Sequence, residues 1–318
     1  QIGEMVNRRT PALAGLRNIP ADDVPVGKDE KENVVLRAVG EKPRFDFPPK
    51  EYLAITEKLD IIDVNRAAKV SGSRFGYLKG SGALLELALI QFAMRKIIAG
   101  GFIPVIPPVM IKPEPYAGMG RLAGTQKEER YFLEKDSLYL VGSAEHTIGP
   151  MHMDEVLAEK ELPKRYVGFS TCFRREAGSY GKDTKGILRV HQFDKVEMFS
   201  FCQPERSEQE QQLLLALQEE ILQELKLPYR VVQICAGDMG WTDYKQYDLE
   251  TWLPGQNQYR ETHSCSNTGD FQARGVNIKY GAKGEYVHML NATGIAIGRT
   301  IIAIIENNQR LDGTFAIP

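Results

Sequence analysis

Apolar positions in ALLELALIQFAMRKIIA, residues 83–99, recur over a wide helical face and predict a helix. Ser81 stands where a side-chain cap is expected, and Gly100-Gly101 supplies the stop. GFIPVIPPVMI then reads as a short strand, and YFLEKDSLYLVG as two strands meeting near Lys135-Asp136. MHMDEVLAEK is expected to be helical, before strand-like RYVGFSTCF and VHQFDKVEMFSF. Ser207 and Glu210 have the spacing of a capping box at the head of SEQEQQLLLALQEEILQELK, with Pro228 as its stop. YRVVQIC, YDLETWLP, QYRETHSC and YVHMLNAT are further strands, and a last helix is expected from about Gly294 to Asn308. The apolar stripes Leu84 to Ile98 and Leu213 to Leu225 are read as core or dimer packing.

Strands dominate the second half without regular alternation with helices. The predicted class is therefore α+β, a mainly antiparallel sheet flanked by helices. Six of the seventeen prolines lie in the first fifty residues beside the charged run GKDEKEN, so residues 1–45 read as an extended linker and 46–318 as the globular domain. With 318 residues, 42% hydrophobic and 26% charged, the chain is ordinary globular material, and fibrous or broadly disordered classes are excluded. A net charge of −2 excludes a globally basic nucleic-acid coat. The longest apolar runs are far short of the roughly 20 residues that cross a bilayer, so no membrane association is expected. Four widely spaced cysteines without a C-x-x-C pair suggest reduced thiols and a cytoplasmic setting. His146 and His152 are six apart, off the spacing of a helical metal pair, and no protein zinc site is expected.

Two phosphate signatures fail. GSYGKDT has the wrong glycine spacing and Asp183 where a P-loop needs Ser or Thr, and GSGALL lacks the third glycine of a dinucleotide fingerprint. What stands out is Arg174 to Lys195, with six basic and three acidic residues in a strand, Gly-rich loop, strand arrangement. Such a hairpin can close over an anion with arginines aimed inward; from charge alone, a solvated hairpin is the plain alternative.

Phe173-Arg174-x-Glu176, a loop, and Arg189-x-His191-Gln192-Phe193 resemble motif 2 of the class II aminoacyl-tRNA synthetases in the form used by the seryl branch. Gly101-Phe102 through Val105 to Pro108 resembles motif 1, placed near 83–110. Ser143-Ala144-Glu145 stands where Thr-Ala-Glu is usual, RETHSCSN resembles the late active-site strand, and LNATGIAIGRTIIAIIEN resembles motif 3, near 286–309. Motif 2 lies near 165–199. The likeness runs from about Asn18 to Pro318 and implies a class II catalytic domain, ATP-dependent activation of L-serine, and transfer of the seryl group to the 3′ end of tRNA.

The same resemblance implies the site residues. Arg174 would bridge the α-phosphate and the substrate carboxylate, Arg299 would hold the γ-phosphate, Phe193 would face adenine, and Arg189 would help hold the phosphates. Arg175, Glu176, Val190, His191, Gln192, Thr262 and His263 complete the nucleotide set. Glu261 and Ser264 would serve Mg2+, although residues three apart on a regular strand face opposite ways, so joint ligation needs a bend or bulge. Ser143, Ala144, Glu145, Glu197, Asn291 and Thr293, with Arg174, would bind serine. A dimer through motif 1 is implied as well. A serine carboxylate is already ionised at neutral pH, so the chemistry asks for positioning and charge neutralisation rather than a base.

Ser143 replaces Thr and Asn291-Ala292-Thr293 replaces Asn-Gly-Ser; both changes keep a hydroxyl but open the question of threonine exclusion. His146 is read as a supporting or structural residue, Tyr180 as an ordinary loop tyrosine rather than a tRNA contact, and Cys265 as no nucleophile. The segment before Phe45 resembles the linker that follows the coiled-coil arm of seryl enzymes, so weak tRNA charging is expected. Two alternatives remain: a paralogue charging another acceptor, such as a carrier protein, and an inactive binding homologue. The joint presence of Arg174, Glu261 and Arg299 disfavours the latter.

Overall fold

In this computed structural model, residues 16–177 and 185–318 are described. One sheet of eight strands organises them: β1 (Val34–Val39), β2 (Ile103–Val105), β3 (Lys164–Phe173), β4 (Gln192–Cys202), β5 (Tyr229–Gln233), β6 (Lys245–Leu253), β7 (Gln258–Asn267) and β8 (His288–Ala296). Their order is β1-β5-β6-β7-β8-β4-β3-β2. Every neighbouring pair is antiparallel except the edge pair β2 and β3. The expected α+β architecture is thus present.

Alternation along the central strands divides the sheet into two chemically different faces. Val196, Met198, Cys265, Ala292 and Ile295 enter the main core. There they meet helices α1 (Tyr52–Leu59), α2 (Ser81–Ala99), α3 (Ser207–Glu224) and α4 (Ile297–Asn307), which contribute residues such as Leu85, Leu89, Leu214, Ile221, Ile301 and Ile305. The intervening positions Lys195, Glu197, Ser264 and Thr293 fall on the opposite face, where the candidate site lies. A second apolar cluster around Phe199, Phe201, Met289 and Tyr166 backs the far ends of these strands.

Several local expectations change. Residues 16–45 are not merely a linker: Val34–Val39 pairs with β5 as an edge strand, and Ala21 and Val24 pack on Val232, Ile234 and Met239. Ser81 is the first residue of α2 rather than its cap, which is Gly80 in a positive-φ conformation. The Ser207-Glu210 capping box does not form. Ser207 Oγ accepts from Asn267 Nδ2 at 2.8 Å, and Glu210 is engaged by Arg165 and Ser200. Residues 151–160 form no α-helix. Val156–Leu157 instead pairs with Lys279–Tyr280, and Asp154, with φ of 63°, reverses the chain. The last helix begins at Ile297, because Gly294 to Ala296 still belong to β8.

Two irregularities in the sheet shape the site. Between β6 and β7 the register passes from Leu249 opposite His263 to Glu250 opposite Glu261, which leaves Thr262 as an extra residue. Between β4 and β8 it passes from Val196 opposite Ile295 to Glu197 opposite Thr293, which leaves Gly294 extra. These are β-bulges, and each one re-aims the side chains around it.

Candidate active site

A cavity of about 110 Å3 opens on the polar face of the sheet where β7, β8 and β4 meet the start of α4. Its walls carry four cations, Arg174, Arg189, Lys195 and Arg299, and two carboxylates, Glu176 and Glu261. Ala296, Gly298 and Arg299 bring the first turn of α4 to the same wall, where the positive end of the helix dipole adds to the cationic field. Phe193 supplies a flat apolar surface, with the Arg174 guanidinium 5.1 Å from its ring centre.

Each arginine is oriented by an oxygen. Arg174 donates from Nε to the Gly142 carbonyl at 3.2 Å. Arg189 pairs with Glu176 at 2.8 Å. Arg299 donates to the Glu261 carbonyl at 2.8 Å and lies 3.2 Å from its carboxylate. Partnered guanidiniums keep their planar forks in fixed directions, which suits the recognition of planar or phosphate oxygens.

The bulge at Thr262 settles the orientation of Glu261 and Ser264. Their cross-strand partners are Glu250 and Asp248, two residues apart on β6 and hence on one face, so Glu261 and Ser264 share a face as well. Both line the cavity. One carboxylate and one hydroxyl suit a hard cation that takes its remaining ligands from phosphate and water, which is how Mg2+ is usually held beside nucleotides. Among the described residues, no group of three or more His, Cys, Asp or Glu forms a self-sufficient metal cage.

Beyond Lys195 the wall becomes a buried polar cluster. Lys195 Nζ is 2.7 Å from Glu197 Oε2, Glu145 neighbours Glu197, and Arg121 forms an ion pair with Glu145. Burial, reinforced by the charge of Glu145, pushes the Glu197 carboxyl up to about 7 even though Lys195 opposes the rise. Glu145 is held well below the usual carboxylate range: Arg121 and His146 overcome its burial. Ser143 is buried and accepts from the Glu145 N–H at 3.3 Å, while Thr293 Oγ1 lies 3.4 Å from Ser264 Oγ.

Of the residues expected at the site, Arg174, Glu176, Arg189, Val190, Phe193, Glu261, Thr262, Ser264, Thr293 and Arg299 line the cavity. Ser143, Ala144, Glu145, Glu197 and Asn291 are buried behind it. The structure does not bring the side chains of Arg175, His191, Gln192 or His263 to that wall. The Arg175 guanidinium stands over Tyr131, and His191 Nδ1 lies 3.0 Å from the Arg174 carbonyl, supporting the backbone from behind. Gln192 lines an adjacent groove, and His263 is fully buried, its pKa pushed down to about 4 by that burial. Tyr180 lies outside the described residues. Arg121 and Asp248, which stands opposite Ser264, were not legible in the sequence: a lone Arg in a Gly-rich loop and an Asp in an alternating strand carry no pattern.

The chain is similar to known proteins over nearly its whole length. Residues 130–308 match the tRNA synthetase class II core domain (G, H, P, S and T). The chain is 49% identical over 319 aligned residues to a serine–tRNA ligase of Sulfurihydrogenibium sp., covering 99% of this chain and 76% of that protein. Its fold matches the seryl-tRNA synthetase of Pyrococcus horikoshii complexed with ATP at a TM-score of 0.97 and 44% identity, over 100% of this chain and 76% of that one. It also matches a cytoplasmic serine–tRNA ligase of Naegleria fowleri in complex with AMP, at 0.93 and 34% identity, with 100% and 76% covered.

Proposed function

Because this chain belongs to the serine–tRNA ligases of the class II synthetase family, we propose that it activates L-serine with ATP and passes the seryl group to tRNA. In the first step a serine carboxylate oxygen attacks the α-phosphorus, a new P–O bond forms, and the bond to pyrophosphate breaks. In the second, the terminal ribose hydroxyl of tRNA attacks the adenylate carbonyl and AMP leaves. The observation that carries this reading is the convergence of Arg174, Arg299 and Glu261 on one cavity at the head of α4.

In this reading Arg174 spans the reacting carboxylate and the α-phosphate, where its fork neutralises both while charge shifts toward the leaving group. Arg299 and Arg189 hold the outer phosphates, and Phe193 offers adenine its face. Glu261 and Ser264 would hold Mg2+, which when bound supplies charge neutralisation to the departing pyrophosphate. Glu145 and Glu197 are the acceptors for the serine ammonium and hydroxyl, assisted by Ser143, Thr293 and Asn291. A buried acceptor rejects alanine because it would be left without a partner, whereas threonine must be refused by volume.

A homodimer through motif 1 is part of the proposal. Support comes from Leu84 and Leu87 on α2, Ile103 in the edge strand β2 and Ile106 just after it, which are 68%, 63%, 50% and 87% exposed. A cytoplasmic setting is supported by four buried cysteines, all free. Among the described residues, no helix is long and apolar enough to cross a membrane.

The test is exchange of pyrophosphate into ATP with serine, run beside threonine, alanine and glycine, followed by charging of total tRNA. Exchange with serine at the highest kcat/KM, followed by charging, is the expected result. No exchange with any amino acid would overturn the reading, and exchange without charging of any tRNA would favour an acceptor other than tRNA.

A further inference from the structure

His146 is 3% exposed and touches no part of the cavity, yet it lies between two of the groups proposed to bind substrate. Its Nδ1 is 3.0 Å from the backbone N of Gly142 and 2.9 Å from the Tyr116 hydroxyl. Its Nε2 is 3.4 Å from Glu145 Oε1. A backbone N–H can only donate, so Nδ1 must present its lone pair to Gly142, and the single proton of a neutral imidazole is thereby placed on Nε2, facing Glu145. Burial pushes the His146 pKa down to about 3, which keeps the ring neutral at any working pH.

Gly142 extends the connection. Its N–H is held by His146, and its own carbonyl accepts from Arg174 Nε at 3.2 Å. The position is tight: a Cβ on Gly142 would meet Arg130 Nη1 at 2.7 Å and His146 Cε1 at 3.3 Å. With no side chain to fix it, this short turn depends on its hydrogen bonds for orientation.

We propose that His146 is a positioning residue for serine activation, one ring nitrogen orienting Glu145 and the other orienting Arg174 by way of Gly142. A single imidazole then sets the distance between the acceptor for the amino acid and the cation that joins its carboxylate to the α-phosphate. This rests on the roles proposed above for Glu145 and Arg174, and it assigns to His146 more than a filling role in the core.

The two ring nitrogens can be separated by substitution. In His146→Asn the side-chain oxygen takes the place of Nδ1 and keeps the Gly142 bond, but nothing reaches Glu145. In His146→Gln the side-chain amide takes the place of Nε2 and keeps the Glu145 bond, but the Gly142 N–H loses its acceptor. Pyrophosphate exchange on the full chain should show serine KM raised about tenfold in His146→Asn, with kcat and ATP KM within about twofold. His146→Gln should show the reverse, with kcat lowered and ATP KM raised about tenfold while serine KM holds. His146→Leu, of similar bulk and with neither bond, should lose on both sides. If Asn and Gln lower exchange alike, in step with lost thermal stability, or leave it unchanged, His146 is a packing residue and the proposal fails. Absence of serine-dependent exchange in the unaltered protein is a separate result, which would overturn the activity itself and this role with it.

Discussion

Glu261 and Ser264 are three residues apart on one strand and nevertheless face one cavity, because Thr262 is an extra residue in β7. Thr262 is held by its hydroxyl, 2.8 Å from Thr251 Oγ1, so the bulge is anchored in the sheet. Glu261→Gln removes a charged ligand while keeping its shape. Exchange is expected to fall roughly 10 to 100-fold, with part of the loss recovered at higher Mg2+ concentration. Loss of activity with no change in the Mg2+ dependence would remove Glu261 from that role.

Arg174→Ala is expected to lower exchange by roughly 1000-fold, with an unchanged circular dichroism spectrum, because the side chain is partly exposed at the end of β3 and carries no core packing. Arg174→Lys should recover little, since an ammonium cannot span two oxygens in one plane. Activity near the unaltered level in either variant would refute the assignment.

Glu197 predicts a pH dependence in serine binding. Burial, with Glu145 adding to it, raises its pKa to about 7, so the folded protein keeps this carboxyl protonated over a range where an ordinary glutamate is ionised. An ionised Glu197 attracts the serine ammonium more strongly than a protonated one, so serine KM should fall as pH rises from 6 through about 7 to 8. Glu197→Gln should raise serine KM and flatten the profile. A sloping profile retained in that variant would assign the titration elsewhere.

A second carboxyl titrates for stability. Glu86 on α2 neighbours Asp194 on β4, next to Phe193, and burial followed by that carboxylate raises its pKa to about 7. Two carboxyls can hydrogen-bond only while one holds a proton. The contribution is therefore complete below the ordinary glutamate pKa and is lost as pH rises through about 7. Glu86→Gln keeps a donor at every pH and should stabilise the chain by roughly 1 kcal/mol at pH 8.5 relative to its effect at pH 5. Urea unfolding at the two pH values measures this, and an equal effect at both would exclude the shared proton.

Gly294, the extra residue of the second bulge, sits where a Cβ would meet Ile97 Cδ1 at 2.6 Å and Val196 Cγ1 at 3.1 Å. Gly294→Ala should destabilise by about 1–3 kcal/mol, and Ile97→Val in the same chain should recover part of that. Full stability of Gly294→Ala alone would mean that α2 and β8 can separate without cost.

The strands and long helices were readable in the sequence because β-rich apolar runs and helical spacing are local signals, as at 192–202, 258–267 and 83–99. The motifs around Arg174, Glu261 and Arg299 were readable for the same reason, since each occupies a short contiguous stretch. Failures came where distant groups compete for local ones. Ser207 was expected to cap its own helix but is bonded by Asn267 from β7, and residues 151–160 exchanged a helix for pairing with residues 279–280. Residues 34–39, a short apolar run set between charged and Pro-containing stretches, form an edge strand by pairing with β5.

The sequence by itself determined the family, the antiparallel sheet and most residues of the cavity wall. Tertiary structure alone decided that Glu261 and Ser264 face the same way, that Arg121 meets Glu145, and that His146 joins Glu145 to Arg174 through Gly142. The physical reason is that a bulge is a mismatch between two strands, and a buried ion pair or hydrogen bond is a property of two or more segments. Neither leaves a periodic trace in any one of them.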